Sequence, residues 1–161
     1  MFGERLKEHF CRRYLVYVVL AATALMFQHC FRLGLNATES LPHTLYLIHK
    51  GEPIHRGDLI AFRWHGGGPY PAGVTFIKIA AGVPGDTVSR IDRAYYINGN
   101  YVGTAKTVAR NGQSLALMET GVLKPNEYYV QAPHPDSLDS RYRLTGWISL
   151  NRIVGRAYAL F

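Results

Sequence analysis

Residues 14–27 read YLVYVVLAATALMF, an apolar run broken by a single threonine. Residues 28–31 (QHCF) extend it to 18 residues, about 27 Å as a helix, the short end of a membrane span. The stretch is apolar on every face, unlike the one-sided stripe of a surface helix. Arg5, Lys7, Arg12 and Arg13 precede it, and only Arg32 follows before Lys50. Cytoplasmic flanks carry the excess of Lys and Arg, so the expected layout has three parts. Residues 1–13 are a cytoplasmic N-terminus, 14–31 a single transmembrane helix, and 32–161 a domain on the far side, periplasmic in a bacterial inner membrane. A cleaved signal peptide has the same charged start, but the stretch QHCFRLGLNATES after Phe27 contains no clean small-x-small cleavage site.

The rest of the chain has the punctuation of a β protein. Apolar or alternating runs at 44–50, 58–64, 73–82, 86–91, 127–133 and 146–160 are separated by Gly and Pro. Residues 94–103 read as two strands joined at Asn98-Gly99, a strong hairpin signal. Helical periodicity of useful length is absent after residue 32. The expected fold is all-β, with folded antiparallel sheets behind one N-terminal transmembrane helix, the β domain spanning about 120 residues. The formal charge is +7 with a pI near 9.6, but the arginines are scattered and no run of five or six like charges occurs, so a nucleic-acid partner is not expected. The expected partner from this part of the sequence is the lipid bilayer. Cys11 and Cys30 flank the apolar segment on opposite sides, and the domain after it has no cysteine. No metal or other cofactor is implied.

Three stretches carry residues that suit chemistry. In FIKIAAGVPGD, 76–86, Lys78 interrupts an apolar strand, on one face with Phe76 and Ala80 and opposite Ile77 and Ile79. Such a lysine either snorkels at a sheet edge or loses its water. Desolvation lowers its pKa and makes the neutral amine available as a base. In ESLPHTLYLIHK, 39–50, Ser40 falls shortly after the apolar segment; alone, it reads first as an N-cap or turn residue. A serine hydroxyl needs a neighbouring base to act as a nucleophile, and a neutral lysine meets that need. Seven histidines leave a Ser–His–Asp triad open, although no serine lies in a G-x-S-x-G elbow. In PDSLDSRY, 135–142, a serine hydroxyl and an Asp–Arg pair fit either a solvated turn or a shell that holds a lysine in place.

These stretches, in this order, resemble the boxes of the type I signal peptidase family, membrane-bound serine peptidases with a Ser–Lys dyad. The family pattern has a nucleophile box of Ser-Met-x-Pro-Thr-Leu type, a Gly-Asp, a Lys-Arg-x-x-Gly-x-Pro-Gly-Asp box, an Asn-Ser-x-Asp-Ser-Arg-Tyr box and a late Gly-Arg-Ala. This chain shows Ser40-Leu41-Pro42-His43-Thr44-Leu45, Arg56-Gly57-Asp58, Lys78 to Asp86, Asp136-Ser137-Leu138-Asp139-Ser140-Arg141-Tyr142 and Gly155-Arg156-Ala157. The resemblance implies Ser40 as nucleophile, Lys78 as general base and Ser137 as the hydroxyl that orients the amine. It makes Asp139 and Arg141 a supporting pair, and Thr38 an oxyanion donor beside the Ser40 backbone N–H. It implies a precursor with a signal or leader peptide as the partner. The pocket for the residues before the cut is expected to be shallow and apolar, with Leu41, Ile60, Phe62 and Ile77 as its walls.

The departures refine the resemblance. Pro42 falls one place early, Ile79 replaces the arginine after the lysine, and Ala132-Pro133-His134-Pro135 replaces an acidic run. With the short length, these look more like the conjugal-transfer, TraF-type branch, which matures a pilin subunit, than like a general secretory signal peptidase. A self-cleaving repressor of the related Ser–Lys fold would need a helix-turn-helix where this chain has its apolar segment. A membrane-tethered β module that binds a secretion or pilus component is the non-enzymatic alternative, and the intact Ser40 and Lys78 weigh against it.

Overall fold

The computed structural model describes residues 2–36 and 40–161, with side chains from residue 9 onward. Helix α1 spans Phe2–Cys30. Among the described residues eleven strands follow: β1 Phe31–Leu35, β2 Leu45–His49, β3 Leu59–Arg63, β4 Thr75–Gly82, β5 Thr87–Ile91, β6 Ala94–Ile97, β7 Asn100–Thr104, β8 Gly121–Val122, β9 Glu127–Gln131, β10 Ile148–Ser149 and β11 Ile153–Ala159. A short 3-10 turn, Leu150–Arg152, joins the last two. The architecture is the expected one, mostly antiparallel β sheet with a single N-terminal apolar helix. The helix starts earlier than the apolar run because the preceding residues (GERLKEHFCRR) are mostly strong helix formers.

Within α1, His9–Cys30 is long and apolar enough, by length and composition, to cross a membrane, and none of it is buried against the rest of the chain. Its far end is locked to the domain. Phe31 stacks on Phe27 and on His49, with ring centroids 5.0 and 4.7 Å apart. The Lys50 backbone N–H donates to the Cys30 carbonyl at 2.8 Å, and the Lys50 ammonium to the Gln28 carbonyl at 2.6 Å. Carbonyls that a helix end leaves open are thereby satisfied by the end of β2. The helix runs into β1 with no linker.

The large sheet has the order β1-β2-β11-β3-β4-β9-β10, and a four-stranded sheet has the order β7-β6-β5-β8. The small sheet is an excursion between β4 and β9, which pair with each other. Central strands are covered on both faces, which is why they read as near-continuous apolar runs. Ile60, Phe62, Phe76 and Ala80 enter one core with Trp64, Val130 and Ile148. Ala61 and Ile77, one residue out of phase, enter a second with Leu41, Tyr46 and Ile48. The third core, around Tyr95, Tyr129 and Tyr142, joins the small sheet to the large one.

Several of the family-like residues turn out to be architectural. The Asp86 carboxylate accepts the Val83 N–H at 2.8 Å, closing the VPGD turn, and binds Asn98 at the hairpin tip and Arg56 ahead of β3. Asn98 and Gly99 both have positive φ, 51° and 80°, the backbone a tight two-residue hairpin demands. At Gly155 a β-carbon would lie 2.1 Å from the His49 carbonyl oxygen, so β11 approaches β2 this closely only with glycine there. The next residue, Arg156, spans the same seam and pairs with Asp58 at 2.8 Å and Glu52 at 3.3 Å.

Candidate active site

Lys78 lies in β4 opposite Ile60 of β3, and it is only 4% exposed. The strand alternation aims it into the same side as Phe76 and Ala80, whose core it borders. Its ammonium group lies 5.9 Å from the Phe76 ring centroid and donates to Ser137 Oγ at 2.9 Å. Burial is the main influence on its pKa; Asp139 opposes it and Arg141 adds to it, and the value is pushed down to about 8. A group with that pKa is neutral for roughly a tenth of the time near pH 7, where an ordinary lysine is neutral for less than about 0.1% of it.

Ser137 sits in the loop between β9 and β10. Its N–H donates to the His134 carbonyl at 3.0 Å, and its side chain is buried. The next turn is built around Asp139 and Arg141, both buried. Arg141 Nε and Nη2 donate to the two oxygens of Asp139, each at 2.8 Å, a fork-to-fork pair. Arg141 Nη1 also donates to the Thr104 carbonyl at 2.9 Å, tying the loop to the end of β7. Ser140 is a structural knot: its hydroxyl donates to the Gly146 carbonyl at 2.8 Å and accepts the Val130 N–H at 3.0 Å.

Ser40 follows Cys30 by ten positions and is 8% exposed. Its loop is braced by Asn36, whose side-chain amide donates to the Leu41 and His43 carbonyls, both at 3.3 Å. Thr38 lies outside the described residues. Ser40, Lys78 and Ser137 all face one cleft of about 450 Å³. Asp139 and Arg141 stand behind it, outside its lining. Ile77 is part of its lining. Leu41, Ile60 and Phe62 are not: Ile60 and Phe62 are wholly enclosed in the first core, and Leu41 is buried in the second. The apolar walls come instead from residues including Tyr70, Val74, Phe76, Leu138 and Leu144. They lie on or beside the outer ends of β3 and β4 and in the Ser137 loop, where chain reversals leave Tyr70, Val74, Leu138 and Leu144 only partly covered and the edge of the buried Phe76 at the cleft.

Sequence reading gave neither Asn36 nor Asp136 a role at the site, although both contact this region. Asp136 precedes Ser137 and binds Lys106 and Arg110, the latter at 2.7 Å, from a segment after β7. No local pattern announces contacts spanning 30 and 26 positions.

A family model described as signal peptidase, peptidase S26, matches residues 8–161. The chain belongs to that family, whose members are serine peptidases that act on precursor proteins carrying signal peptides. Among solved structures, a signal peptidase I from Enterococcus faecalis V583 is similar, with 23% identity and a TM-score of 0.43 over 68% of this chain and 98% of that one. No curated protein matches the chain.

Proposed function

We propose that this protein is a membrane-anchored serine endopeptidase that removes the leader from a translocated precursor through a Ser40–Lys78 dyad. The observation that carries this reading is the buried Lys78 amine, held by Ser137 Oγ in the same cleft as Ser40. The neutral Lys78 Nζ takes the proton from Ser40 Oγ as the oxygen attacks the scissile carbonyl carbon. The tetrahedral intermediate carries its charge on the former carbonyl oxygen, which the Ser40 backbone N–H stabilises, and the family resemblance assigns Thr38 as the second donor. Each such donor is worth roughly 3 kcal/mol. The C–N bond breaks, the Lys78 ammonium returns its proton to the leaving amine, and the precursor's leader is left as an ester on Ser40. Water, deprotonated by the same amine, then releases it.

The anchored geometry supports a substrate whose apolar segment stays in the bilayer. Ser40 lies ten positions beyond the end of the helix, with β1 between them, and the helix end is pinned to β1 and to Lys50 at the end of β2. The N-terminal charge bias supports a cytoplasmic N-terminus and a periplasmic catalytic domain. The early Pro42, Ile79 after the lysine and the Ala-Pro-His-Pro run support the pilin-maturing branch and a conjugative pilin subunit as substrate.

Co-expression in membranes with a small pilin-like precursor and with a general secretory precursor tests this. Wild-type protein should process the pilin-like precursor at one site, defined by mass spectrometry, and Ser40→Ala should leave it intact. Processing of the secretory precursor instead overturns the substrate assignment, and equal processing by wild type and Ser40→Ala overturns the peptidase itself.

A further inference from the structure

Residues 105–115 leave the small sheet after β7 and double back as a hairpin. Val108 bridges to Ser114, the Ala109 N–H donates to the Gln113 carbonyl at 2.9 Å, and the Leu115 N–H to the Thr107 carbonyl at 2.9 Å. Gly112, with φ of 80°, makes the reversal. The hairpin forms a wall of the Ser40–Lys78 cleft through Val108, Ala109 and Leu115 and through polar residues at its tip. The two ends are fixed in the third core, Ala105 buried in it and Leu115 packed against it, but none of residues 106–114 between them is buried, so no packed core fixes the angle of the projecting part that carries Val108. At its base Arg93 Nε donates to the Ala105 carbonyl at 2.8 Å, and the Lys106 N–H donates to the Tyr142 hydroxyl at 3.0 Å. Towards the catalytic loop, Lys106 binds one oxygen of Asp136 and Arg110 the other, at 2.7 Å. The Asp136 peptide N–H is fixed in turn by His134 Nδ1 at 3.2 Å, and the next residue is Ser137.

We propose that this hairpin is a specificity-determining wall of the cleft, and that Asp136 is the positioning residue that holds it against the Ser137 loop. The proposal rests on the peptidase reading and deepens it. With the wall held in, Val108 and Leu115 limit the size of the precursor side chain that lies beneath them, so the residue there must be small. With the wall released, a larger residue is admitted. The latch does not titrate in the working range, because Lys106 and Arg110 push the Asp136 carboxyl down to about 2. Its removal therefore changes selectivity and leaves the pH profile set by Lys78 where it was.

The test walks an Ala→Leu change through the three or so positions on each side of the cut in a matched set of precursor peptides. At the position beneath the hairpin, full-length wild type in detergent or bilayer discs should prefer Ala over Leu by about thirtyfold or more in kcat/KM, mainly through KM. Asp136→Asn should cut that preference at least about fivefold, Asp136→Glu should restore it, and Val108→Gly, which leaves the ion pairs intact, should relax it independently. The same peptides are titrated by fluorescence anisotropy onto Ser40→Ala protein and onto Ser40→Ala carrying Asp136→Asn. This arm reads the wall without any cleavage, so a failure of the peptidase reading shows as no turnover with selectivity in binding intact. Ala-to-Leu ratios unchanged by both Asp136→Asn and Val108→Gly, at every position and in binding, overturn the proposal.

Discussion

Lys78→Met is expected to lower kcat/KM by about 10⁴-fold or more and, at the same time, to make the protein more stable near neutral pH. The two effects have one origin. Burial holds the Lys78 pKa at about 8, below its ordinary value of 10.5. Between those values the unfolded chain binds more protons than the folded one, so stability rises with pH across that window. Below the folded value the full penalty is present, about 3 kcal/mol for a displacement of this size. Methionine has nearly the same shape and no charge to desolvate, and it forfeits one hydrogen bond to Ser137, worth about 1 kcal/mol. The expected net gain near pH 7 is therefore about 2 kcal/mol in chemical denaturation, shrinking as pH rises from about 8 to 10.5, where the folded amine is already neutral and the unfolded one still protonated. A lysine that served the fold would show the reverse, a loss of stability on replacement. Loss of activity with a gain in stability is the signature of a side chain kept for chemistry.

Asp139→Asn is expected to destabilise the domain by about 3–5 kcal/mol, because it leaves the buried Arg141 guanidinium without its counter-charge. Both side chains are essentially inaccessible, and Asp139 accepts two of the guanidinium's bonds. The double variant Asp139→Leu with Arg141→Met should lose less than the single one, since it removes both buried charges together. Asp139 also raises the Lys78 pKa while Arg141 lowers it. In Asp139→Asn protein that still folds, the pH at which Lys78 becomes a base should therefore move below its wild-type value. Denaturation midpoints of wild type and the two variants measure the first effect, and a loss under about 1 kcal/mol for the single variant would contradict it.

The fold was largely legible because apolar alternation and turn chemistry act locally. The runs at 44–50, 58–64 and 73–82 correspond to β2, β3 and β4 within a residue or two at each end. The Asn98-Gly99 turn joins β6 to β7 as its backbone preference dictates. β1 escaped notice because Arg32 and Gly34 interrupt its pattern; five register pairs with β2 make it a strand in spite of them. β8, at two residues, is too short to carry a period. At the site, Lys78 announced itself as a charge inside an apolar strand, and Ser40 and Ser137 by the boxes around them. The lining of this cleft differs from the four residues expected because alternation says only which residues leave solvent. Ile60 and Phe62 left it for a closed core, whereas Tyr70, Val74 and Leu144 face an opening set by loop geometry. The Asp136 latch is likewise a product of tertiary proximity between two segments whose local sequences give no sign of each other.

The central claim is that Ser40 is activated by a buried, neutral lysine, and the pH dependence of kcat/KM for the purified full-length enzyme on its cleaved precursor tests it most directly. The free-enzyme profile should rise with pH along a single limb whose midpoint is about 8, the pKa at which Lys78 gives up its proton. A rise centred near 6.5, the ordinary histidine value, would instead make a histidine the base and contradict the Ser–Lys account.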